Sequence, residues 1–328
     1  MRKALVMDNH IKLNEQYDSL VKAFEDPYPS RIYHYTTGEG LRGIIQNSEI
    51  WLTNTAFVND ISEGRALQDA NIQFSHGDFT NRYVEHWWDY FKKIKNIGEV
   101  EKDTYIASFS RSKNSIDQYR AYGNYCIGFD AKQLITRPGF YFYECVYDSD
   151  KIRKWILEKE KVKKWNGEIL NKNEQWKSGA AHRLVYDSYK KFKHPAYKQE
   201  REVRIMAVSH HTWDFTNSPS MYAKDPPIHY RDHPKLGHPI PYVKLFITGS
   251  MRHKYTPRNT SKETSRQMKQ GKREEETSTT RNLLPIREIW IGPMVHQDSA
   301  EIACKILLKD TGYDNVAINA SAIPYRGF

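Results

Sequence analysis

Cysteine is scarce and unpatterned in this chain. The 3 cysteines, Cys126, Cys145 and Cys304, form an odd set with no C-x-x-C spacing. That excludes a disulfide scaffold or a zinc knuckle and fits a reducing compartment. Long apolar runs are also missing: no stretch approaches the ~20 residues a membrane-spanning helix needs. At the N-terminus only Ala4-Leu5-Val6-Met7 are consecutively apolar, too short for the core of a secretory signal, so a cytoplasmic protein with no membrane partner is expected. There is no G-x-G-x-x-G, no G-x-x-x-x-G-K-[ST], no G-x-S-x-G and no H-E-x-x-H. Those absences remove the dinucleotide fingerprint, the P-loop, the serine-hydrolase elbow and the zinc-protease helix from consideration. No internal repeat is visible.

Aromatic residues are abundant instead: 22 Tyr, 13 Phe and 8 Trp give a 328-residue chain ample bulk for a packed interior. The net charge of +10 is unevenly placed. Residues 151–200 hold 14 Lys and Arg against 6 Asp and Glu, and residues 250–283 hold 9 against 4. Two basic stretches favour a polyanionic partner through counterion release, although basic helix faces are often only solvated. Lys161, Lys163 and Lys164 are the expected nucleic-acid contacts.

Periodicity points to one α+β domain over 1–328. Leu13, Tyr17, Leu20, Val21 and Phe24 mark a helix over 10–25. Arg31–Thr36 reads as a strand, and Thr36-Thr37-Gly38-Glu39 as a capping box opening the next helix. Strands follow at Ile50–Thr53, Thr104–Ser110, Tyr125–Asp130, Phe140–Tyr147, Glu202–Val208, Tyr242–Ile247, Ile286–Ile291 and Val316–Asn319. Helices are expected near Ser62, over 81–96, over Ser115–Tyr122, twice within the basic segment 150–194, and over 297–309. Residues 209–241 hold 6 of the 14 prolines and 5 of the 13 histidines and read as a long surface loop. Those histidines (His210, His211, His229, His233 and His238) lack the rigid frame a zinc site needs. Residues 250–283 have too few apolar side chains to offset ordering entropy and read as a flexible basic insertion.

Chemistry concentrates in three distant segments: Tyr33-His34-Tyr35-Thr36, Ser108-Phe109-Ser110 and Glu200-Arg201-Glu202-Val203-Arg204-Ile205. Strand alternation puts Glu200 and Glu202 on one face, where they suit acid–base work or merely guard an edge against aggregation. Ser108 and Ser110 likewise share a face, and buried hydroxyls need partners. A lone strand histidine such as His34 is more often a satisfied core residue. Thr36 either caps the following helix or reaches a ligand, and the cap is the simpler reading. Tyr119 and Tyr122, three apart on a helix, share a side. Asn59, Asp60, Glu63 and Arg65 form a dense polar block that is either an N-cap with local ion pairs or a phosphate contact through Arg65.

Tyr33-His34-Tyr35-Thr36, Leu41-x-x-Ile44-Ile45, Ile50–Asn54, Asn59-Asp60-x-x-Glu63-Gly64-Arg65, Ser108-Phe109-Ser110, Glu200-x-Glu202-x-Arg204, Ile289–Pro293 and Ser321–Arg326 together resemble the bacterial "domain of unknown function 2971" family. More distantly, an early His, a central hydroxyl-bearing strand and a late Glu-x-Glu resemble the NAD site of ADP-ribosyltransferases. That resemblance implies a split, mixed or antiparallel β core flanked by helices, with NAD as substrate and no metal. It implies Glu202 beside the ribose, Glu200 as base for the acceptor, and His34, Tyr35, Thr36, Arg65, Ser108, Ser110, Tyr119 and Tyr122 around NAD. The acceptor would be RNA or DNA in preference to protein, and such enzymes resemble toxins or phage-defence effectors, which work with an antitoxin or regulatory partner. Two rivals stand beside it: a non-catalytic nucleic-acid-binding protein, and a nuclease holding Mg²⁺ with Asp60, Glu63, Glu200 and Glu202.

Overall fold

The computed structural model describes residues 29–58, 66–70, 72–74, 78–79, 82–93, 104–134, 140–160, 174–208, 226–232, 237–248 and 281–324. The helix expected over 10–25, the block from Asn59 to Arg65, the Lys161, Lys163 and Lys164 group, residues 209–225 and 250–280 lie outside them.

The chain opens with β1 (Arg31–Thr36), α1 (Gly38–Asn47) and β2 (Ile50–Asn54). Next come α2 (Ala66–Asp69), α3 (Arg82–Lys93), β3 (Thr104–Ser110), α4 (Ile116–Tyr122), β4 (Tyr125–Asp130), α5 (Ala131–Leu134) and β5 (Phe140–Glu144). Helices α6 (Ser149–Glu160) and α7 (Glu174–Lys191), a 3₁₀ turn over Pro195–Glu200, β6 (Glu202–Val208), β7 (Ile228–Asp232) and β8 (Pro239–Leu245) follow. The short pair β9 (Ile247–Thr248) and β10 (Arg281–Asn282), then β11 (Ile286–Ile291), α8 (Gln297–Asp310) and β12 (Ala317–Ala320), complete the described chain. This is an α+β protein with a mixed sheet flanked by helices.

Alternation explains the two faces of the sheet. Ile32, Ile127, Phe109, Ile205, Val243 and Ile289 point into one large core, closed by Leu41, Ile44 and Ile45 of α1 and Ala300, Cys304 and Leu308 of α8. On the other face α7 lies against β5, β6 and β3: Tyr143 donates to Asp187 Oδ1 at 2.7 Å, and Arg204 donates to the Lys190 carbonyl at 2.9 Å. Leu184, Val185 and Tyr189 of α7 join Trp88 and Phe91 of α3 and Ile152 and Ile156 of α6 in a second core. The three cysteines are buried and none is in a disulfide. No described helix is long and apolar enough to cross a membrane.

The hydrogen-bonded order is β12-β11-β4-β1-β3-β2-β8-β7, with β6 on β3 and β5 on β6. β11 and β12 pair in parallel and the other described strand pairs are antiparallel. β3 pairs with β6 over its full length, from Thr104 opposite Val208 to Ser110 opposite Glu202. On its other edge it is shared: β2 takes Tyr105 and Ile106, and β1 takes Ser110. The sheet therefore splits beside Ala107, Ser108 and Phe109.

Five local expectations need correction. The cap of α1 is Thr37, whose Oγ1 accepts from Gly40 N at 3.2 Å, so Thr36 stays in the strand. β5 ends at Glu144, because α6 starts four residues after Cys145 and Tyr147 turns toward β6. The supposed loop over 209–241 contains β7 and the start of β8, paired from Ile228 opposite Val243 to Asp232 opposite Pro239. Pro239 and Pro241 are tolerated because β2 reaches only Tyr242–Leu245, leaving that part of β8 bonded on one side. The last residues of the expected flexible insertion, Arg281 and Asn282, pair with Thr248 and Ile247. Finally, Glu200 ends a 3₁₀ turn and is not on the strand.

Candidate functional site

The split in the sheet opens a cavity of about 150 Å³ lined by Tyr33, His34, Tyr35, Ser108, Phe109, Gln118, Tyr122, Glu200 and Glu202. All three chemistry-bearing segments thus meet in one place. Where β3 loses its partner strand, His34 supplies the missing hydrogen bond: its Nδ1 donates to the Ser108 carbonyl at 2.9 Å, and its ring lies 5.4 Å from that of Phe109. A carbonyl can only accept, so the neutral imidazole leaves Nε2 as an acceptor. Burial lowers the pKa of His34, partly opposed by that same hydrogen bond, so the ring is neutral near pH 7.

Below it lies a four-charge network that the sequence reading missed. Lys193 Nζ bridges Glu200 Oε2 at 2.5 Å and Glu202 Oε2 at 2.6 Å. Arg204 Nε donates to Glu202 Oε1 at 3.0 Å and its Nη2 to Oε2 at 3.3 Å. Glu202 is 3 % exposed and Arg204 1 % exposed. Two anions and two cations balance, which is what makes such deep burial tolerable. Glu200 and Glu202 do converge, but by a different route from simple alternation. Arg201 adopts a left-handed backbone (φ 46°), which turns the end of the 3₁₀ segment into β6 and brings both carboxylates to Lys193.

Burial alone would raise the Glu202 pKa, but Arg204 and Lys193 outweigh it and bring the carboxyl down from 4.5 to about 2. The Lys193 ammonium is held above its usual range: desolvation acts to lower it, and Glu202 leads the opposing effects. A depressed carboxyl contributes stability that is complete above its unfolded value and is lost as pH falls through the folded one. Thermal midpoints should therefore fall between about pH 4.5 and 2, and the fall should be smaller in Glu202→Gln. Equal acid sensitivity in the two proteins would show that other carboxyls carry the effect.

Hydroxyls fix the surrounding backbone. Ser110 Oγ donates to the Glu200 carbonyl at 2.6 Å and accepts from Ser112 N at 3.0 Å, so this serine is spent on structure beside the carboxylates. Ser108, one step along the same face, is exposed and lines the cavity. Tyr35 OH donates to the Ser112 carbonyl and accepts from Ser115 N, locking the turn into α4. Tyr147 OH accepts from Glu202 N at 2.7 Å.

The tyrosines of α4 divide. Tyr122 lines the cavity, is 37 % exposed, and donates to Glu200 Oε1 at 3.1 Å; burial and the nearby Glu200 push its pKa up. Tyr119 is buried with Tyr33, Tyr35 and Cys126, its ring edge-on to Tyr35 at 5.1 Å, and it is not part of the cavity lining. Gly123 (φ 119°) makes this placement possible, since a Cβ there would lie 2.7 Å from the Thr36 carbonyl. Thr36 does not line the cavity either. Arg65, Asp60 and Glu63 lie outside the described residues.

Residues 118–205 match a family model described as "Protein of unknown function (DUF2971)". The match supports that resemblance over this stretch of the chain. It spans the cavity residues Gln118, Tyr122, Glu200 and Glu202 together with Lys193 and Arg204, and leaves out His34 and Ser108. No curated protein and no solved structure matches the chain.

Lys193 and Arg204 complete the charge network beside the cavity, and neither was assigned a role from the sequence. Lys190, Lys191 and Lys193 belong to the basic segment 150–194, yet they are only 6 %, 4 % and 6 % exposed. Lys190 lies over the Tyr186 ring at 3.9 Å. The usable signal was Arg204, a cation between Val203 and Ile205 that needed a buried acid. A nuclease centre on Glu200 and Glu202 fits this arrangement poorly, because Lys193 Nζ already stands between them. Among the described residues no cluster of three or more His, Cys, Asp or Glu side chains is placed to hold a metal ion.

Proposed function

We propose that the chain is an NAD-consuming ADP-ribosyltransferase with its reaction centre at the split in the sheet. The observation that supports this most is the convergence of His34, Ser108 and Glu202, from three distant segments, on one cavity. Cleaving the nicotinamide–ribose bond develops positive charge on the sugar, as glycoside hydrolysis does, and a fixed carboxylate stabilises it. Glu202 is held ionised for that role. His34 Nε2 accepts a ribose hydroxyl, and Ser108 adds a further polar contact. Glu200, tied to Tyr122 and nearer solvent, takes the proton of the incoming nucleophile.

At about 150 Å³ the cavity is smaller than the ~300–1,000 Å³ of sites that enclose a whole drug-sized ligand. It takes one ring-sized part of the dinucleotide, with the remainder lying outside. The uneven basic charge of residues 151–200 and 250–283 supports a nucleic-acid acceptor over a protein. The test is purified protein with labelled NAD and total cell extract, followed by nuclease or protease digestion. Release of free nicotinamide with label lost on nuclease treatment is the expected result. No nicotinamide release, with or without extract, would sink the enzymatic reading.

A further inference from the structure

The strands beyond the split carry a second built surface that the reaction centre does not use. Register places Trp51 and Thr53 of β2, Tyr242 and Lys244 of β8, and His229 and Arg231 of β7 on one face. Trp51 stacks on Tyr242 with ring centres 4.3 Å apart and planes at 26°. Its Nε1 donates to Glu49 Oε1 at 2.8 Å, and buried Glu49 also holds Lys244 Nζ at 3.0 Å. The indole is thus fixed at its polar edge as well as by stacking, yet remains 38 % exposed. Arg231 crosses β8 to donate to Thr53 Oγ1 at 3.1 Å, with its guanidinium 5.8 Å from the centre of the Trp51 ring. The His229 ring lies 5.6 Å from that of Tyr242. Among the described strands β7 is the last of the sheet on this side.

The charges on this patch are one-sided. Arg231 and Lys244 are cations, whereas the acid among the described residues of the patch, Glu49, is 3 % exposed and engaged by Trp51 and Lys244. Asp232 follows Arg231 on β7 and so points to the opposite face. A preordered aromatic face beside a guanidinium matches a ligand that carries a flat ring and an anion on adjacent units. Bases stack on such rings without regard to sequence, and a guanidinium grips the neighbouring phosphate. We propose that this patch binds single-stranded nucleic acid, with a base on Trp51 and its flanking phosphate on Arg231. The inference does not depend on ADP-ribosyl transfer.

Anisotropy of labelled oligonucleotides of about 12 nucleotides, as RNA, as DNA and as duplex, tests this with the full chain and no NAD. Single strands should bind more tightly than duplex, and affinity should fall with salt at a log–log slope of about −0.7 per phosphate contacted. Loss of one stacked base is worth roughly tenfold or more, so Trp51→Ala should weaken binding by that factor while Trp51→Phe keeps most of it. Arg231→Glu, at an exposed position that does not threaten folding, should also weaken binding and flatten the salt response. A preference between the RNA and DNA arms would identify the natural strand. No binding at ~50 mM salt, or unchanged affinity in both Trp51→Ala and Arg231→Glu, overturns the proposal whether or not the protein consumes NAD.

Discussion

Replacing Glu202 by Gln should lower nicotinamide release by about 10²–10³, the usual cost of losing one preorganised electrostatic group at a reacting centre. Gln keeps the shape of the side chain but cannot stabilise a sugar cation. The same change should lower the thermal midpoint, because Lys193 and Arg204 then face Glu200 alone in a buried setting. Rates must therefore be compared well below the midpoint of the variant and per folded molecule, with circular dichroism as the check. Folded Glu202→Gln that releases nicotinamide at the parent rate would reduce Glu202 to a structural ion-pair partner. Glu200→Gln should spare NAD hydrolysis more than transfer, since its carboxylate sits toward Tyr122 and solvent.

Arg204→Met should be among the most damaging single changes in the chain, costing about 3–5 kcal/mol by leaving the Glu202 carboxylate buried with half its partners gone. A thioether of similar length fills the space, so the loss reports charge more than volume. Adding Glu202→Gln to it should recover a large part of that cost, because Lys193 and Glu200 then form a balanced pair by themselves. Urea unfolding of the two single variants and the double gives the coupling directly. Strictly additive losses would mean that Glu202 and Arg204 stabilise the fold independently, contrary to the bonds between them.

Much of the local structure was legible because it is written in period. Thr104–Ser110 and Tyr125–Asp130 begin and end where aromatic and β-branched runs meet polar turns, and α3 follows the spacing of Val84, Trp88 and Phe91. Errors arose where composition and partner availability disagree. Prolines argued for a loop at 239–241, but the edge of a sheet accepts them. Thr36 and Thr37 both offer a hydroxyl before the helix, and the capping-box spacing chose the wrong one.

By itself the sequence determined that these segments form strands and helices, that His34 and Ser108 are polar residues set among apolar ones, that Glu200 and Glu202 lie two apart, and that positive charge is uneven. Only the tertiary structure decided what those residues face. Whether a lysine near the end of a helix meets water or two carboxylates depends on the Arg201 turn and on which strand flanks β3. Whether Trp51, His229 and Arg231 form one surface depends on the register of β2, β8 and β7. Register and strand order are set by long-range packing between segments far apart in the chain, so local spacing carries little record of them.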